Sequence, residues 1–389
     1  MITVSEAFSI LQSNIPTPQE ENCSLLEARK KILSQSILSP INMPPFRQSA
    51  MDGYVVCLHE SLSYQIIGEI KAGDAESFVL QPGQAVKIFT GAPVPDSGQA
   101  MIPIEKVLVE QSVLTLQTIP KLHDNIRPIG EQIKKEDLAL EKGTLLDAAA
   151  IGFLAALGVT SVPVYKKQSV GIVVTGNELL APGLPLTYGK VYESNGVMLE
   201  VALLDAFYQN VTLYSVKDDF ESTKNTLQEA IAHHEVVLVS GGISVGDYDF
   251  VAQALQELQV KTLFHTVNQK PGKPLFAGKV NEKMIFALPG NPAACLTCFY
   301  VYVLPTLQMI SGASARFDAT KRIGIKDNLT VNATRSQFLK AFVTDEGVKI
   351  LSHQASSMLN SFSLANALVY VPEGNYELQK GDMVQVYLL

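Results

Sequence analysis

The stretch VVLVSGGISVGD (Val236–Asp247) is a short apolar run followed at once by a glycine-rich turn. The same pattern occurs five times between Val170 and Pro292, with the turns TGNEL (175–179), KDD (217–219), SGGISVGD (240–247), KPGKP (270–274) and PGNP (289–292). Runs such as VGIVV and MIFAL are apolar without alternation, as is typical of strands covered on both faces. Most turns lead into helical patterns, so residues 167–311 predict a doubly wound, mainly parallel α/β domain. Ligands bind such sheets at the carboxyl ends of the strands, where these turns lie.

The patterns outside this sheet predict a multi-domain protein of α/β and β parts. Residues 1–45 and 125–166 are expected to form a discontinuous helical domain, because Thr3–Leu38 (including Leu25–Ser36) and Asp147–Leu157 have helical patterns. Residues 46–124 have strand signals and predict an inserted β domain, and residues 312–389 predict a C-terminal β-barrel. Within the α/β domain, helical spacing places Val197, Val201, Leu204 and Tyr208 on one apolar face.

The composition excludes several classes of protein. A formal charge of −8 argues against nucleic acid or an anionic membrane as the main partner. Neither a signal peptide nor a stretch near the roughly 20 apolar residues of a membrane helix is recognisable, and a cytoplasmic protein is expected. Four cysteines are too few for a disulfide framework. Cys295 and Cys298 have the spacing of a redox or zinc pair, but they lie in an apolar run without a second pair, which favours buried thiols.

Two of the turns are suited to binding an anion. In Ser240–Gly246, glycines allow backbone N–H groups to approach a phosphate at the start of a helix, although an ordinary tight turn has the same pattern. Lys270 and Lys273 lie on a proline-stiffened loop, which is either an anion site or a solvated basic turn. We expect such glycine-lined helix starts and the lysine loop to provide the anion contacts.

Carboxylates are concentrated at the same edge of the predicted sheet. Each has an ordinary explanation as a helix cap, and Asp218 with Glu221 resembles a capping box. Together they require cations nearby, which lysines and Mg²⁺ bound through one or two carboxylates and a phosphate would supply. Outside this domain, Asp52 lies in a loop where a capping role is weaker, and Thr90 fits a plain turn equally well. The carboxylates at the sheet edge are Glu178, Asp218, Asp219, Asp247 and Asp249.

Short motifs along the whole chain resemble, in order, those of the molybdopterin molybdenumtransferase family, the bacterial relatives of the gephyrin E domain. The resemblance also includes the C-terminal segment. The motifs are Ser49–Tyr54, Thr90–Ala92, Thr175–Leu179, Ser240–Gly246, Lys270–Pro274, Pro289–Pro292, Arg335–Leu339, Ser356–Leu359, Leu364–Ala367 and Val371–Gly374.

The resemblance implies four domains, a homodimer and a reaction in which molybdate and adenylylated molybdopterin give molybdenum cofactor and AMP, with Mg²⁺ assisting. The active site would form where the Asp52 domain of one copy faces the α/β domain of the other. An adenylyltransferase and apo-molybdoenzymes are possible partners. The functional positions carried over are catalytic Asp52, Thr90, Glu178, Asp218 and Asp249; metal-binding Glu178, Asp218 and Asp249; substrate-binding Ser240, Gly241, Gly242, Ser244, Gly246, Lys270, Lys273, Gly290, Asn291 and Pro292; and molybdate-binding Lys270, Lys273, Arg335 and Ser357.

Two departures from the family pattern each replace a carboxylate with an amide. Asn177 stands in Thr-Gly-Asn-Glu-Leu where the family has aspartate, and Gln132 stands in Gly-Glu-Gln. Two other functions stay open: an adenylyltransferase that prepares the same pterin, and a non-catalytic scaffold that holds it. The sequence does not choose between molybdate and tungstate.

Overall fold

The computed structural model describes residues 1–74, 78–243, 250–319 and 321–389. It divides into two compact units: a larger unit of residues 1–21, 30–34 and 164–389, and a smaller unit of residues 22–29 and 35–163. The α-helices are α1 (Val4–Gln12), α2 (Ala148–Ala156), α3 (Asn195–Asp205), α4 (Phe220–His233), α5 (Phe250–Glu257), α6 (Pro292–Cys298) and α7 (Leu304–Ile310), with a 3₁₀ turn at Ile104–Lys106 and a π-helical turn at Phe299–Val303.

The strands are short, and many contain only two to six residues. In chain order they are β1 (Glu20–Ser24), β2 (Ile37–Leu38), β3 (Gln48–Ser49), β4 (Gly53–Val56), β5 (Ser63–Ile70), β6 (Gln84–Ile88), β7 (Ala100–Pro103), β8 (Val107–Glu110), β9 (Val113–Leu116), β10 (Ile126–Arg127), β11 (Leu138–Leu140), β12 (Ser161–Tyr165), β13 (Val170–Thr175), β14 (Leu179–Leu180), β15 (Val191–Tyr192), β16 (Val211–Val216), β17 (Val236–Ser240), β18 (Lys261–Thr266), β19 (Gln269–Lys270), β20 (Pro274–Val280), β21 (Lys283–Leu288), β22 (Lys321–Gly324), β23 (Leu329–Ala333), β24 (Ser336–Thr344), β25 (Gly347–Ile350), β26 (Ala367–Val371), β27 (Gly374–Leu378) and β28 (Met383–Leu388).

The larger unit contains a six-stranded sheet in the order β16-β13-β17-β21-β20-β18. Its first four strands are parallel, as the sequence predicts, and β13, β17 and β21 are buried along their whole length except at Lys283. The sheet is nevertheless mixed, because β20 runs antiparallel to both β21 and β18. Since two reversals restore the direction, β18 runs with the parallel strands, and the chain that follows it leaves from the same edge.

Helices cover both faces of this sheet, which confirms the doubly wound prediction. One apolar cluster joins the sheet to buried side chains of α1, α3, α6 and α7, and a second joins it to α4 and α5. Burying both faces explains why these strands have unbroken apolar runs rather than alternation. The loops at the carboxyl ends are thereby held on a rigid base.

The predicted helix over Leu25–Ser36 is wrong. A turn begins at Ser24, whose hydroxyl donates a hydrogen bond to the Glu27 carboxylate at 2.7 Å. Lys30 then has φ +60, a left-handed backbone conformation that cannot continue a right-handed helix. Beyond it, Leu33 forms a β-bridge with Val164. Residues 1–45 and 125–166 therefore contain only α1 and α2 as α-helices, and most of this region is turns and short strand pairs.

The predicted apolar face of α3 is also wrong. Val197, Val201 and Leu204 are 46–50% exposed, while Leu199 and Leu203 are fully buried. Tyr208 is buried, but it lies beyond the end of α3 at Asp205. Tyr208 therefore does not belong to a face of this helix. The face that is buried is the one that carries Leu199 and Leu203.

The helical stretch Pro292–Ile310 corrects the expectation that no segment is long and apolar enough to span a membrane. This stretch is 19 residues long, and its most apolar part has a mean hydropathy of 1.6. However, 78% of that part is buried inside the protein. Cys295 and Cys298 lie in it as fully buried free thiols, as expected. Burial raises the pKa of the Cys295 thiol to about 12.

The C-terminal part of the larger unit is an antiparallel sheet. Its strands run in the order β24-β26-β28-β22, with β25 paired to β24. A bridge between Ile325 and Val348 connects the chain after β22 to β25. The strand β19 adds to β24 in parallel, with Gln269 opposite Ser336. A closed barrel stays a prediction.

The smaller unit contains a six-stranded sheet in the order β7-β4-β6-β5-β9-β8, as expected for a β domain in residues 46–124. All its pairs are antiparallel except β5 with β6. The helix α2 begins after Asp147, whose carboxylate accepts a hydrogen bond from the Ala150 N–H at 2.9 Å.

Candidate active site

A cavity of about 640 Å³ opens at the carboxyl ends of β13, β17 and β21 in the larger unit. Ends of neighbouring parallel strands are where such sheets bind ligands. The structure brings most of the described residues predicted to bind substrate or metal together here. The predicted residues that line the cavity are Glu178, Asp218, Ser240, Gly241, Gly242, Gly290, Asn291 and Pro292, joined by Thr175, Glu193, Asn195 and Pro274 among others.

The glycine turn after β17 is shaped so that only glycine fits. Gly241 has φ +92 and Gly242 has φ +59, and a Cβ at Gly241 would lie 2.7 Å from the Thr175 carbonyl oxygen. The turn therefore lies directly against the end of β13, leaving backbone at the cavity wall. Ser244 and Gly246, predicted in the same turn, and the predicted metal ligand Asp249 lie outside the described residues.

The carboxylates after β16 have different roles from those that the capping pattern suggests. Asp219, not Asp218, caps α4: its carboxylate accepts a hydrogen bond from the Ser222 N–H at 2.9 Å. Hydrogen bonding from the Ser222 side chain, followed by that from its backbone N–H, lowers the pKa of Asp219. Asp218 is thereby left free of the helix and lines the cavity.

Asp218 is instead joined to Asn177, to which the sequence analysis assigned no role. The Asn177 N–H donates to Asp218 Oδ2 at 2.9 Å, and the Asp218 N–H donates to Asn177 Oδ1 at 3.2 Å. Lys190 Nζ donates to the Asn177 carbonyl oxygen at 2.5 Å. These hydrogen bonds connect the loop after β13 to the loop after β16 at the Asp218 carboxylate.

Sequence reasoning missed Asn195, which connects two of the turns. Its Nδ2 donates to Ser240 Oγ and to the Gly290 carbonyl oxygen, both at 2.8 Å. Because a carbonyl only accepts, the Gly290 bond fixes the orientation of the amide. The only signal in the sequence is a Ser-Asn-Gly at the predicted start of a helix.

The predicted lysine loop, Lys270–Pro274, reaches this cavity with Pro274, but its two lysines do not line it. Lys270 and Lys273 are exposed, and neither forms an ion pair among the described residues. The loop is held from below by the buried Gln269, whose Nε2 donates to the Gly272 carbonyl oxygen at 3.0 Å and whose Oε1 accepts from the Tyr302 hydroxyl. The ammonium groups are free while the backbone that carries them is fixed.

Arg335 lies beside this loop through the pairing of β19 with β24. Gln269 is opposite Ser336, and both are buried. Arg335 directly precedes β24 and is partly buried, while Lys270 is exposed. The strand pairing therefore brings the backbone next to Arg335 close to the start of the lysine loop.

The loop that carries Ser357 meets the start of α6. The Ser356 carbonyl oxygen accepts from the N–H groups of Ala293 and Ala294, at 3.1 and 3.2 Å, and Ser356 Oγ accepts from Asn291 Nδ2 at 2.9 Å. These two N–H groups at the start of α6 are therefore occupied by a protein acceptor. Ser357 is exposed beside this contact.

In the smaller unit, Asp52 and Thr90 form a pair that the sequence did not predict. The backbone N–H and the hydroxyl of Thr90 both donate to Asp52 Oδ1, at 2.8 and 2.7 Å. The hydroxyl and backbone bonds lower the pKa of Asp52. Both residues are exposed, and the second carboxylate oxygen has no described partner. Asp52 is held as an ionised carboxylate facing solvent.

The donor set in the cavity is suited to Mg²⁺. Asp218 Oδ1 and the Glu178 carboxylate have no hydrogen-bond donor among the described residues, so their oxygens are available. Magnesium prefers such oxygens, together with phosphate and water. Among the described residues there is no cluster of three or more His, Cys, Asp or Glu side chains that would hold a metal by protein ligands alone.

Three protein-family models match consecutive parts of the chain. Residues 2–158 match the MoeA N-terminal region (domains I and II), residues 171–309 match a probable molybdopterin binding domain, and residues 322–389 match the MoeA C-terminal region (domain IV). The three matches follow one another along almost the whole chain.

Relatives of similar length have the same organisation. The chain is similar to the molybdopterin molybdenumtransferase of Haemophilus influenzae (32% identity, 99% of this chain and 98% of the relative). It is also similar to that of Staphylococcus epidermidis (30% identity, 100% and 95%). A crystal structure of a molybdopterin biosynthesis MoeA protein from Pyrococcus horikosii superposes with a TM-score of 0.83 at 30% identity, over 100% of this chain and 99% of that chain. The chain belongs to the molybdopterin molybdenumtransferase family and is an enzyme of molybdenum cofactor biosynthesis.

Proposed function

We propose that the cavity binds adenylylated molybdopterin and that the adjacent cationic surface binds molybdate, so that the enzyme releases AMP and molybdenum cofactor. The observation that carries this proposal is one cavity that combines a glycine-lined wall with two available carboxylates, Glu178 and Asp218. A cavity wall formed by glycine backbone allows N–H groups to approach phosphate groups. The carboxylates can bind a metal ion that is also bound to those phosphates.

The molybdate dianion would bind to Lys270, Lys273, Arg335 and the Ser357 hydroxyl. Three cations without described ion pairs, in a protein of net charge −8, indicate a local site for an anion. The Ser356 contact with Asn291 brings this surface to the rim of the cavity. Oxyanion and pterin are thereby held side by side, which replaces a bimolecular encounter with a positioned one.

Glu178, Asp218 and Asp249 would hold Mg²⁺, which neutralises charge on the phosphoanhydride when bound. Asn177 fixes the Asp218 carboxylate, and Ser240 and Asn195 fix the turns that bear the phosphate contacts. The dithiolene sulfurs of the pterin, rather than the buried Cys295 and Cys298, would receive molybdenum.

Asp52 would act from a second copy in a cytoplasmic homodimer, with Thr90 holding its carboxylate in place. This proposal has a direct test. The Asp52→Ala and Asp218→Asn variants, each of which we expect to retain at most a tenth of wild-type activity, are mixed and allowed to exchange subunits. A shared site restores part of the activity, because one of the two sites in a mixed dimer has both residues. No recovery after verified exchange places Asp52 and Asp218 in the same copy's site, or outside the mechanism.

The reaction itself is tested by incubating the protein with adenylylated molybdopterin and Mg²⁺, titrating molybdate and following AMP. We expect molybdate-dependent AMP release without ATP. Consumption of ATP would indicate an adenylyltransferase, and pterin binding without AMP release would indicate a scaffold. Repeating the titration with tungstate decides the oxyanion preference.

A further inference from the structure

Lys340 is a buried lysine that the site described above does not use. It lies in β24 and is 3% exposed. Its ammonium donates to the carbonyl oxygens of His353 at 2.7 Å, Met358 at 2.9 Å and Ala355 at 3.4 Å. All three acceptors belong to one loop, residues 353–358, which is the loop that carries Ser356 and Ser357.

The charge of Lys340 has no carboxylate partner among the described residues. Burial of an ammonium without a counter-ion is unfavourable, and an apolar side chain of similar volume would usually be tolerated better there. Three carbonyl dipoles from one loop offset this cost. A single cation thus binds three backbone carbonyls within six residues of one loop.

The same loop is connected to the rim of the cavity at its other side. The Ser356 carbonyl oxygen accepts from the first-turn N–H groups of α6, and Ser356 Oγ accepts from Asn291. Ser361 Oγ also contacts the loop: its single O–H lies within hydrogen-bond distance of the carbonyl oxygens of His353, at 2.8 Å, and Met358, at 3.2 Å. A continuous path of contacts thus runs from Lys340 through the loop to Asn291, with Ser357 on it.

We propose that Lys340 is a positioning residue for oxyanion binding: it holds the 353–358 loop so that Ser357 stands ready beside the lysine loop and Arg335. The inference rests on the proposed function, in which this surface takes the oxyanion. Lys340 does not touch the oxyanion. It fixes the hydroxyl in advance, so that less conformational freedom is lost when the anion binds.

The test compares Lys340→Met with wild type and with Lys349→Met, an exposed lysine in the neighbouring strand β25. Both variants lose one positive charge in the same part of the chain. Two quantities are measured: the rise in the unfolding midpoint on adding molybdate or tungstate without pterin, and the molybdate KM and kcat at saturating pterin. For Lys340→Met we expect a KM at least 10-fold higher, with kcat changed less than about 3-fold, and loss of most of the oxyanion-induced stabilisation. Lys349→Met should behave as wild type.

Ser361→Ala provides a second variant in case Lys340→Met does not fold. It removes the one hydroxyl donor that contacts the His353 and Met358 carbonyl oxygens but leaves the charge in place, so we expect a smaller rise in KM of about 2- to 5-fold. An unchanged oxyanion response in folded Lys340→Met, or in Ser361→Ala if the first variant is unfolded, overturns the inference. Equal losses in Lys340→Met and Lys349→Met also overturn it, because they reflect net charge. A wild-type protein that does not respond to either oxyanion contradicts the proposed function itself.

Discussion

Asn177 and Asp218 exchange two hydrogen bonds across neighbouring loops, each using its backbone N–H toward the side chain of the other. The arrangement uses one oxygen of the Asp218 carboxylate and leaves the other free at the cavity. An amide at position 177 can make this exchange without adding a third negative charge beside Asp218 and Glu178. The backbone N–H of Asn177 orients the Asp218 carboxylate, and the Asn177 side-chain oxygen holds the Asp218 backbone without changing the charge of the site.

Replacing Asn177 with alanine should weaken Mg²⁺ binding without unfolding the protein. The Asn177 N–H still donates to Asp218, but the Asp218 N–H loses its acceptor, a loss of about 1 kcal/mol that corresponds to roughly 3- to 10-fold in affinity. Calorimetric titration with Mg²⁺ measures the change. Asn177→Asp serves as the control, since it keeps the acceptor oxygen and should bind Mg²⁺ at least as tightly as wild type. Equal affinities in Asn177→Ala and wild type would contradict this role.

The adjacent residues Asp218 and Asp219 should respond to substitution in opposite ways. Asp219→Ala removes the cap of α4 and should lower the free energy of unfolding by about 1 kcal/mol while turnover is largely kept. Asp218→Asn should leave the unfolding midpoint near that of wild type and reduce turnover by at least 10-fold, since it removes a charge from the proposed metal site. Thermal unfolding and AMP release distinguish the two. If Asp219→Ala were the inactive variant, the assignment of the pair would be reversed.

The Thr90 hydroxyl should determine the pH at which Asp52 loses its charge. Its hydrogen bond is the main cause of the lowered pKa of Asp52, so Thr90→Val should raise that pKa. If turnover needs the ionised carboxylate, the acidic limb of the pH–rate profile moves toward higher pH. Thr90→Ser keeps the hydroxyl and should retain the wild-type profile. A Thr90→Val profile that coincides with wild type would mean that Asp52 ionisation does not limit the rate.

Gly241→Ala should impair the glycine-lined wall of the cavity. At φ +92 an added Cβ would lie 2.7 Å from the Thr175 carbonyl oxygen, so the turn must move away from β13. We expect a loss of stability of about 1–3 kcal/mol together with a KM for the pterin substrate at least 10-fold higher. Gly143→Ala is the control for positive φ alone, because a Cβ there meets no atom within 4 Å. A normal KM in Gly241→Ala would exclude this turn from binding.

The Glu235 carboxylate should make the stability of the larger unit depend on pH in the acid range. Partial burial opposes its ionisation, but hydrogen bonds from Lys166 and Ser169 outweigh it and lower the pKa from 4.5 to about 2. A lowered pKa stabilises the folded state at pH values above 4.5, and this contribution is lost as the pH falls toward 2. Glu235→Gln should therefore be less stable than wild type at pH 7, by about 1 kcal/mol, because partial exposure to solvent screens the Lys166 charge. Unfolding midpoints measured from pH 7 to pH 2.5 should converge. A constant difference would contradict the shift.

Local sequence predicted those parts of the fold in which one residue pattern has one solution. The unbroken apolar runs of β13, β17 and β21 identified a sheet buried on both faces, and the helical pattern over Asp147–Leu157 correctly predicted α2. The prediction of a helix over Leu25–Ser36 was wrong because the spacing of its polar residues does not reveal the positive φ of Lys30. The prediction of which face of α3 is buried was wrong for two reasons. Burial depends on what packs against the helix, and Tyr208 lies beyond the helix end.

The candidate site shows the same division. Glycines and prolines at strand ends identified the turns around the cavity, since these residue types restrict or release the backbone wherever they occur. The roles of individual carboxylates could not be assigned this way. Asp218 and Asp219 are chemically identical neighbours, and only the direction of the backbone after β16 decides which one caps α4 and which one faces the cavity.

The sequence by itself determined the family, the doubly wound sheet and the edge of that sheet at which the site lies. These depend on residue types and spacing that are readable along the chain. Only the tertiary structure revealed the contacts made by Asn177, Asn195 and Lys340, and the reversed strand β20 that still leaves Lys270–Pro274 at the same edge. Each of these depends on a hydrogen bond or a strand pairing between different segments of the chain, and such a pairing is fixed by packing of the whole unit rather than by either segment alone.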